Sequence, residues 1–404
     1  MMGRSRLFSS FLLFAGACTL VALRAPQELR LAGEFGLYVW ESRDSVHVQW
    51  LTQENAPGTL LVMADGKPYF TTNTPTSVAH HAAFRKPKSD SFAINYGTVA
   101  ETPERATTTI FRQPLNATAS AALPDTLYVF GDTHGEFDSV VRLMQHARLI
   151  DQQLRWTGGK KQIVFLGDVV DRGPDAMRLL WYLYQLEREA DASGGHVHVL
   201  LGNHEIMVML GDVRYVHGKE TRIAQLHGVK YPTLVNPRTS VLGRWLASKP
   251  AVLKMGDLLL VHGGVSSDYL RESPGSLARM VNQNIRSDLF MAYTDSTVRV
   301  TVDSASFKQF DQFFWGDRSL FWYRGYAMSD TLDAELTGTL NSFGAQTLII
   351  GHTPVAHIQQ KYQGKLIIAH PRRPAGELLL ITGRGANRQL HRLLPDGTAE
   401  LFGQ

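Results

Sequence analysis

Apolar and polar positions alternate in short runs between Gly33 and Phe111, with no convincing helical period. Leu37-Tyr38-Val39-Trp40, Val46-His47-Val48-Gln49-Trp50 and Thr59-Leu60-Leu61-Val62-Met63 each read as a strand. Turn-forming stretches separate them: Asn55-Ala56-Pro57-Gly58 and Ala64-Asp65-Gly66-Lys67-Pro68. Many short strands broken in this way predict a small all-β, sandwich-like accessory domain over residues 30–115, with Trp50 in its core. His80-His81 reads as a solvated turn pair, because no third metal ligand stands nearby in sequence. Residues 112–125, with their Pro, Ala, Thr and Asn, read as a linker.

The pattern changes at Asp125. Strand-like apolar runs now alternate with helix-like stretches, which predicts an α/β layered fold, β-sheets flanked by helices, over residues 123–404. Five of these runs end alike. Leu127-Tyr128-Val129-Phe130 leads into Gly131-Asp132-Thr133-His134-Gly135, and Ile163-Val164-Phe165-Leu166 into Gly167-Asp168-Val169-Val170-Asp171-Arg172-Gly173. Val197-His198-Val199-Leu200-Leu201 leads into Gly202-Asn203-His204-Glu205, Leu258-Leu259-Leu260-Val261 into His262-Gly263-Gly264, and Leu348-Ile349-Ile350 into Gly351-His352-Thr353. Sites in α/β sheets form beyond the carboxyl ends of the strands. The five ends together can bring Asp132, His134, Asp168, Asn203, His262 and His352 to one point. Any one such motif is weak evidence; five after apolar strands predict a metal site.

Composition narrows the picture without supplying chemistry. The chain has 404 residues, 44% of them hydrophobic and 19% charged, enough to bury the cores of two or three domains and incompatible with disorder, collagen or coiled coil. Net charge is only +4 and no Lys/Arg run marks a groove for nucleic acid. The single cysteine, Cys18, excludes an intrachain disulfide and a cysteine-based metal site. Residues 1–27 read as a signal peptide or membrane anchor: Arg4 and Arg6, an apolar run from Leu7 to Phe14, then Ala15-Gly16-Ala17-Cys18. Cleavage after Ala17, lipidation of Cys18 and retention of Leu7–Leu23 as an uncleaved anchor all fit that segment. Each places the protein outside the cytoplasm, periplasmic or attached to the membrane.

Carboxylate, imidazole and amide oxygen together suit Mn, Fe or Zn. Two such ions sharing a carboxylate suit hydrolysis of a phosphate ester, since they polarise the phosphoryl oxygens and acidify a bound water.

The motifs Gly131–Gly135, Gly167–Gly173 and Gly202–Glu205, in this order, resemble those of the phosphoprotein phosphatase family of calcineurin-like metallophosphoesterases, over roughly Asp125 to Gly383. The resemblance implies Asp132 and His134 as ligands of a first metal and Asp168 as the bridging ligand. It implies Asn203, His262 and His352 as ligands of a second, and a hydroxide made by the two ions that attacks phosphorus directly. His204 resembles the general acid for the leaving oxygen, Asp171 the carboxylate that orients it, and Arg172 a phosphate clamp. Arg324, 28 residues before His352, resembles a second phosphate-binding arginine; its alternative reading is a cover over Phe321-Trp322-Tyr323. Leu210–Val216, Gly243–Leu246 with Lys249-Pro250, and Leu320–Gly325 are similar to the Shewanella-like, bacterial-type branch. Two departures stand out. Val208 occupies a position where that branch has Asn, and Ile367–Arg373 replaces an Ile-Asp-x-Gly segment. His370, Arg372 and Arg373 there read as solvated loop residues or as basic groups on the substrate rim.

Three functions compete. The first is a protein phosphatase, for serine/threonine or tyrosine, whose partner is a phosphorylated protein or peptide. The second is a diadenosine tetraphosphate hydrolase or other small-molecule phosphoesterase. The third is a degenerate binding protein, against which the intact motifs argue.

Overall fold

The computed structural model describes residues 36–99, 105–112, 118–295 and 297–402. The leader, with Cys18, and residues 113–117 of the linker lie outside the described residues. Strands β1 (Tyr38–Glu41), β2 (Ser45–Ala64), β3 (Lys67–Arg85), β4 (Ser91–Thr98) and β5 (Arg105–Phe111) form one antiparallel sheet. The two runs read as separate strands, 46–50 and 59–63, are one strand of 20 residues; the turn expected at Asn55–Gly58 is a pair of register shifts against β3. Those irregularities bend the sheet back on itself. Trp50, from the first half of β2, is fully buried and donates its indole N–H to Gly97 O of β4 at 3.0 Å. Phe84 stacks on Phe70 at 5.4 Å and meets Phe92 edge-on at 5.8 Å, although Phe84 pairs beside Val46 and Phe70 beside Val62. One folded-over sheet thus supplies both layers of the sandwich-like core.

His80 and His81 are not a solvated turn pair. Both lie within β3, on opposite faces. His80 is buried, its ring nitrogens bonded to Thr52 Oγ1 at 3.2 Å and Thr74 Oγ1 at 2.6 Å. His81 is exposed, opposite Gln49.

The remaining strands are β6 (Ser120–Ala121), β7 (Thr126–Phe130), β8 (Gln162–Phe165), β9 (His196–Val199), β10 (Val252–Met255), β11 (Leu258–Val261), β12 (Thr347–Ile350), β13 (Gln359–Lys361), β14 (Leu366–Ile368), β15 (Leu378–Thr382), β16 (Gln389–Leu393) and β17 (Ala399–Phe402). They form two six-stranded sheets, ordered β13-β14-β12-β11-β10-β6 and β17-β16-β15-β7-β8-β9. β7, β8 and β9 run parallel in one, and β11, β12 and β14 in the other. Leu127, Val129, Val164, Leu258, Leu260 and Ile349 share the core between the sheets. Their neighbours Tyr128, Phe130, Phe165 and Leu259 face the helical layers. Burial on both faces is why these strands are unbroken apolar runs.

Helices α1 (Phe137–His146), α2 (Ala176–Ala192), α3 (Asn203–Met209), α4 (Gly218–Leu226) and α5 (Val241–Leu246) follow the first three of these parallel strands. α2 also carries the N-terminal sheet. Trp181 donates its indole N–H to Leu37 O at 3.0 Å, Tyr184 Oη accepts from Phe111 N at 2.8 Å, and Gln185 Nε2 donates to Thr109 O at 2.8 Å. Arg244 of α5 pairs with Glu41 at 2.9 Å. Among the described residues no helix is long and apolar enough to cross a membrane.

Candidate metal centre and active site

The carboxyl ends of β7, β8, β9, β11 and β12 converge, and they bring all six expected ligands together. None is more than 5% exposed. Two glycines make the approach possible. A Cβ on Gly131 would lie 2.2 Å from Ala369 O, and one on Gly202 would lie 2.2 Å from Asp168 Oδ1. The side chains are aimed by strained backbone: His134, Asp168, Asp171, Arg172 and His352 all adopt left-handed φ, between +46° and +68°. Such conformations cost about 1–3 kcal/mol each in non-glycine residues and collect at functional sites.

Asp168 is the hub. Its Oδ2 lies 3.2 Å from His262 Nε2, 3.8 Å from His204 Nε2 and 4.0 Å from His134 Nε2. Two groups of potential ligand atoms, His134–Asp168–His204 and Asp168–His262–His352, therefore share it. Asp132 Oδ2 stands 3.8 Å from His134 Nε2, and Asn203 Oδ1 lies 2.8 Å from His262 Nε2. Backbone N–H groups fix the carboxylates: His204 N donates to Asp168 Oδ1 and His352 N to Asp132 Oδ1, each at 2.9 Å. His134 Nδ1 donates to Val170 O at 2.9 Å and His262 Nδ1 to Leu166 O at 3.1 Å, so each ring turns Nε2 toward the carboxylates. His134 Nε2 is buried with no hydrogen-bond partner. A buried nitrogen without a proton partner, beside two buried carboxylates, is a donor set that fits a divalent transition ion.

Nearness alone also admits His204 as a ligand. Its second nitrogen separates it: Nδ1 is held by Asp171 Oδ2 at 2.6 Å, and Arg172 Nη2 lies 3.3 Å from Nε2. Burial opposes its positive charge, but Asp168 and Asp171 outweigh burial and raise its pKa. Burial, with His204 and Arg172 adding to it, lowers His134 to about 4 against the pull of Asp168, so that ring is neutral and able to ligate. Burial lifts Asp132 to about 7, whereas three imidazoles overcome burial at Asp168 and hold it well below the usual carboxylate range.

Arg172 and Arg324 reach the centre at different histidines, Arg172 at His204 and Arg324 at His352. Arg324 Nε donates to His352 Nε2 at 2.9 Å, so its guanidinium reaches the centre instead of merely covering the aromatic cluster. Trp322 meets His352 edge-on at 5.5 Å. Tyr215, 46% exposed, lies 5.3 Å from the His204 ring with Arg172 beside it, and its backbone O accepts from Arg172 N at 2.7 Å.

Glu205 and Tyr215 contribute without a role assigned from the sequence, and His370 sits elsewhere than expected. Glu205 accepts backbone N–H bonds from Asp168, Val169, Val170 and Gly202, at 2.8–3.1 Å, and so ties the β8 loop to the start of α3. Its place directly after His204 carried the signal. Tyr215 carried none beyond being aromatic. His370 is neither solvated nor on a rim: it is 3% exposed, with Nδ1 3.5 Å from Asp132 Oδ2. Asp212 and Arg214 form an exposed ion pair, and His217 caps α4 through Lys219 N, as structural or rim residues should.

Residues 126–356 match the calcineurin-like phosphoesterase model, more than half of the chain. The chain belongs to that family. Shewanella-like protein phosphatase 2 of Arabidopsis thaliana is 27% identical over 275 residues, which are 57% of this chain and 66% of that protein. The chain thus spans just under two thirds of that relative's length. The structure of a cold-active protein-tyrosine phosphatase from a psychrophilic Shewanella superposes with a TM-score of 0.69 at 24% identity, over 91% of this chain and 98% of that one. A second structure of a cold-active protein tyrosine phosphatase gives 0.63 at 27% identity, over 78% and 94%. The breadth of the first likeness includes the N-terminal sheet, so this calcineurin-like phosphoesterase shares its whole two-part architecture with a solved fold.

Proposed function

We propose that this calcineurin-like phosphoesterase is a phosphomonoesterase of phosphoproteins, exported from the cytoplasm and favouring phosphotyrosine. Asp132 and His134 would hold a first Mn, Fe or Zn ion, Asn203, His262 and His352 a second, with Asp168 available to both. Ions there would supply Lewis-acid polarisation of the phosphoryl group and a more acidic bound water. The residues do the rest. Arg172 and Arg324 grip the non-bridging oxygens as planar forks. His204, kept protonated by Asp171, presents Nε2–H to the leaving oxygen as general acid.

The observation that carries the reading is the 2.6 Å His204–Asp171 pair set beside the ligand cluster and under Arg172. A site that only bound metal would not need an oriented acid. The exposed ring of Tyr215 beside His204 supports an aromatic leaving group, because that is the wall the leaving group's body would face. Residues 1–27 support export, by cleavage, by lipidation at Cys18 or as an anchor.

Turnover of phosphotyrosine, phosphoserine and phosphothreonine peptides alongside diadenosine tetraphosphate tests this directly. We expect phosphotyrosine peptides to give the highest kcat/KM. Preference for the dinucleotide would replace the reading with a small-molecule hydrolase, and no turnover of any with bound metal would leave a binding protein. Fractionation of cells bearing the full chain tests export: full-length protein found only in the cytosol would reject it.

A further inference from the structure

His370 stands where the family-like segment departs from expectation, and its position is built, not incidental. β14 ends at Ile368, and the chain runs on against the end of β7. There Ala369 O lies so close to Gly131 that no side chain fits between them. Ala369 N donates to Ile350 O at 2.8 Å, Val355 N to His370 O at 3.0 Å, and Ala375 N to Asp132 O at 3.3 Å. The backbone on both sides of His370 is therefore fastened to the loops that carry Asp132 and His352. The imidazole is 3% exposed and turns Nδ1 to 3.5 Å from Asp132 Oδ2, with the His134 ring edge-on at 6.3 Å. Nδ1 is buried and has no hydrogen-bond partner, as is true of His134 Nε2. Two buried, unpartnered imidazole nitrogens thus lie near one carboxylate oxygen, at 3.8 Å and 3.5 Å from Asp132 Oδ2. Leaving both empty would cost two unmet polar groups; a cation would satisfy both.

We propose that His370 is a further ligand of the Asp132–His134 half of the centre, binding through Nδ1. The inference rests on the dinuclear reading above. In the Nε2–H tautomer Nδ1 offers a lone pair, so no proton leaves the ring. Each half of the centre then has four protein groups: Asp132, His134, His370 and Asp168 on one side, and Asp168, Asn203, His262 and His352 on the other.

The test uses the full chain stripped with a chelator and titrated with Zn2+ alone, by calorimetry, for the wild type, His370→Ala and His370→Gln. We expect two sites in the wild type. In both variants one site should weaken by roughly tenfold or more while the other stays within about twofold. Long-range spectra of 15N-histidine-labelled protein should show a metal-bound Nδ1 resonance on Zn2+ addition that is missing from His370→Gln. Affinities unchanged within about twofold at both sites would overturn the proposal. So would a weakened site without that Nδ1 resonance, which would make His370 a positioning residue for Asp132. A wild type that binds no Zn2+ would instead overturn the dinuclear reading itself. If His370→Ala does not fold, as judged by circular dichroism of the stripped protein, the Gln variant and the wild-type spectrum decide the matter.

Discussion

Two buried histidines, one in each part of the molecule, show how differently the parts are built. His80 sits in the folded-over N-terminal sheet at 3% exposure, and threonine hydroxyls engage both of its ring nitrogens. His134 sits at the end of β7 at 0% exposure, and one of its nitrogens meets nothing. The backbone repeats the contrast. Among the described residues of the N-terminal sheet the only non-glycine left-handed residue is Asp65, in the hairpin turn between β2 and β3; the centre has five. A histidine that is satisfied on relaxed backbone packs a core. One that is unsatisfied, on strained backbone, beside carboxylates, is held ready for something absent from the chain itself.

The largest expected effect comes from the hub of the strained region. Asp168→Asn keeps the shape but removes the charge facing three imidazoles. We expect kcat on p-nitrophenyl phosphate to fall by roughly 10³-fold or more, since several kcal/mol of charge stabilisation are at stake. Retention of a tenth of wild-type activity would remove Asp168 from its shared position. Next comes His204→Asn, expected to lower kcat by about 10²–10⁴-fold for a phosphoester with a poor leaving group. The loss should shrink for p-nitrophenolate, which leaves without a proton. Equal losses on both substrates would mean that His204 is not the acid.

Most of this centre was legible in the sequence, because a parallel strand buried on both faces leaves an unmistakable apolar run and its ligands follow within a few residues. The convergence of Asp132, His134, Asp168, Asn203, His262 and His352 is legible in this way. The buried place of His370 was not legible, because its loop meets Asp132 only where the ends of two different sheets come together: β14 belongs to one sheet and β7 to the other, and no local pattern records that neighbour. The N-terminal sheet was legible in class but not in detail. Asn55-Ala56-Pro57-Gly58 has turn chemistry, yet β3 stays paired on both sides of it, so a turn signal became a bulge. His80 was misread because its partners, Thr52 and Thr74, come from an adjacent strand and from six residues upstream.

A smaller effect should appear on the satisfied side. His80→Ala leaves two threonine hydroxyls and a cavity behind, and we expect it to cost about 2–4 kcal/mol of stability with unchanged kcat per folded molecule. Denaturant unfolding alongside activity measures both. A loss of metal content in this variant would show that the two regions are coupled more closely than their contacts along α2 imply.

The smallest effect is on pH dependence. Glu220 of α4 is buried, and burial raises its pKa from 4.5 to about 7, against a bond from Met177 N at 3.2 Å. The folded state holds this proton more tightly than the unfolded chain does. Its stabilising contribution is therefore complete below the unfolded value and is lost as pH rises through about 7. Glu220→Gln should narrow the fall in Tm between pH 6 and pH 8; an identical fall in wild type and variant would mean that Glu220 is ionised throughout.

The contrast between a satisfied and an unsatisfied histidine has one direct consequence: the second must have a cation to meet. Elemental analysis of active, full-length protein measures it. The account predicts two transition ions per chain in the wild type and a clear deficit in Asp168→Asn, with His80→Ala unaffected. Fewer than one ion per chain in protein that still hydrolyses phosphate esters would contradict it.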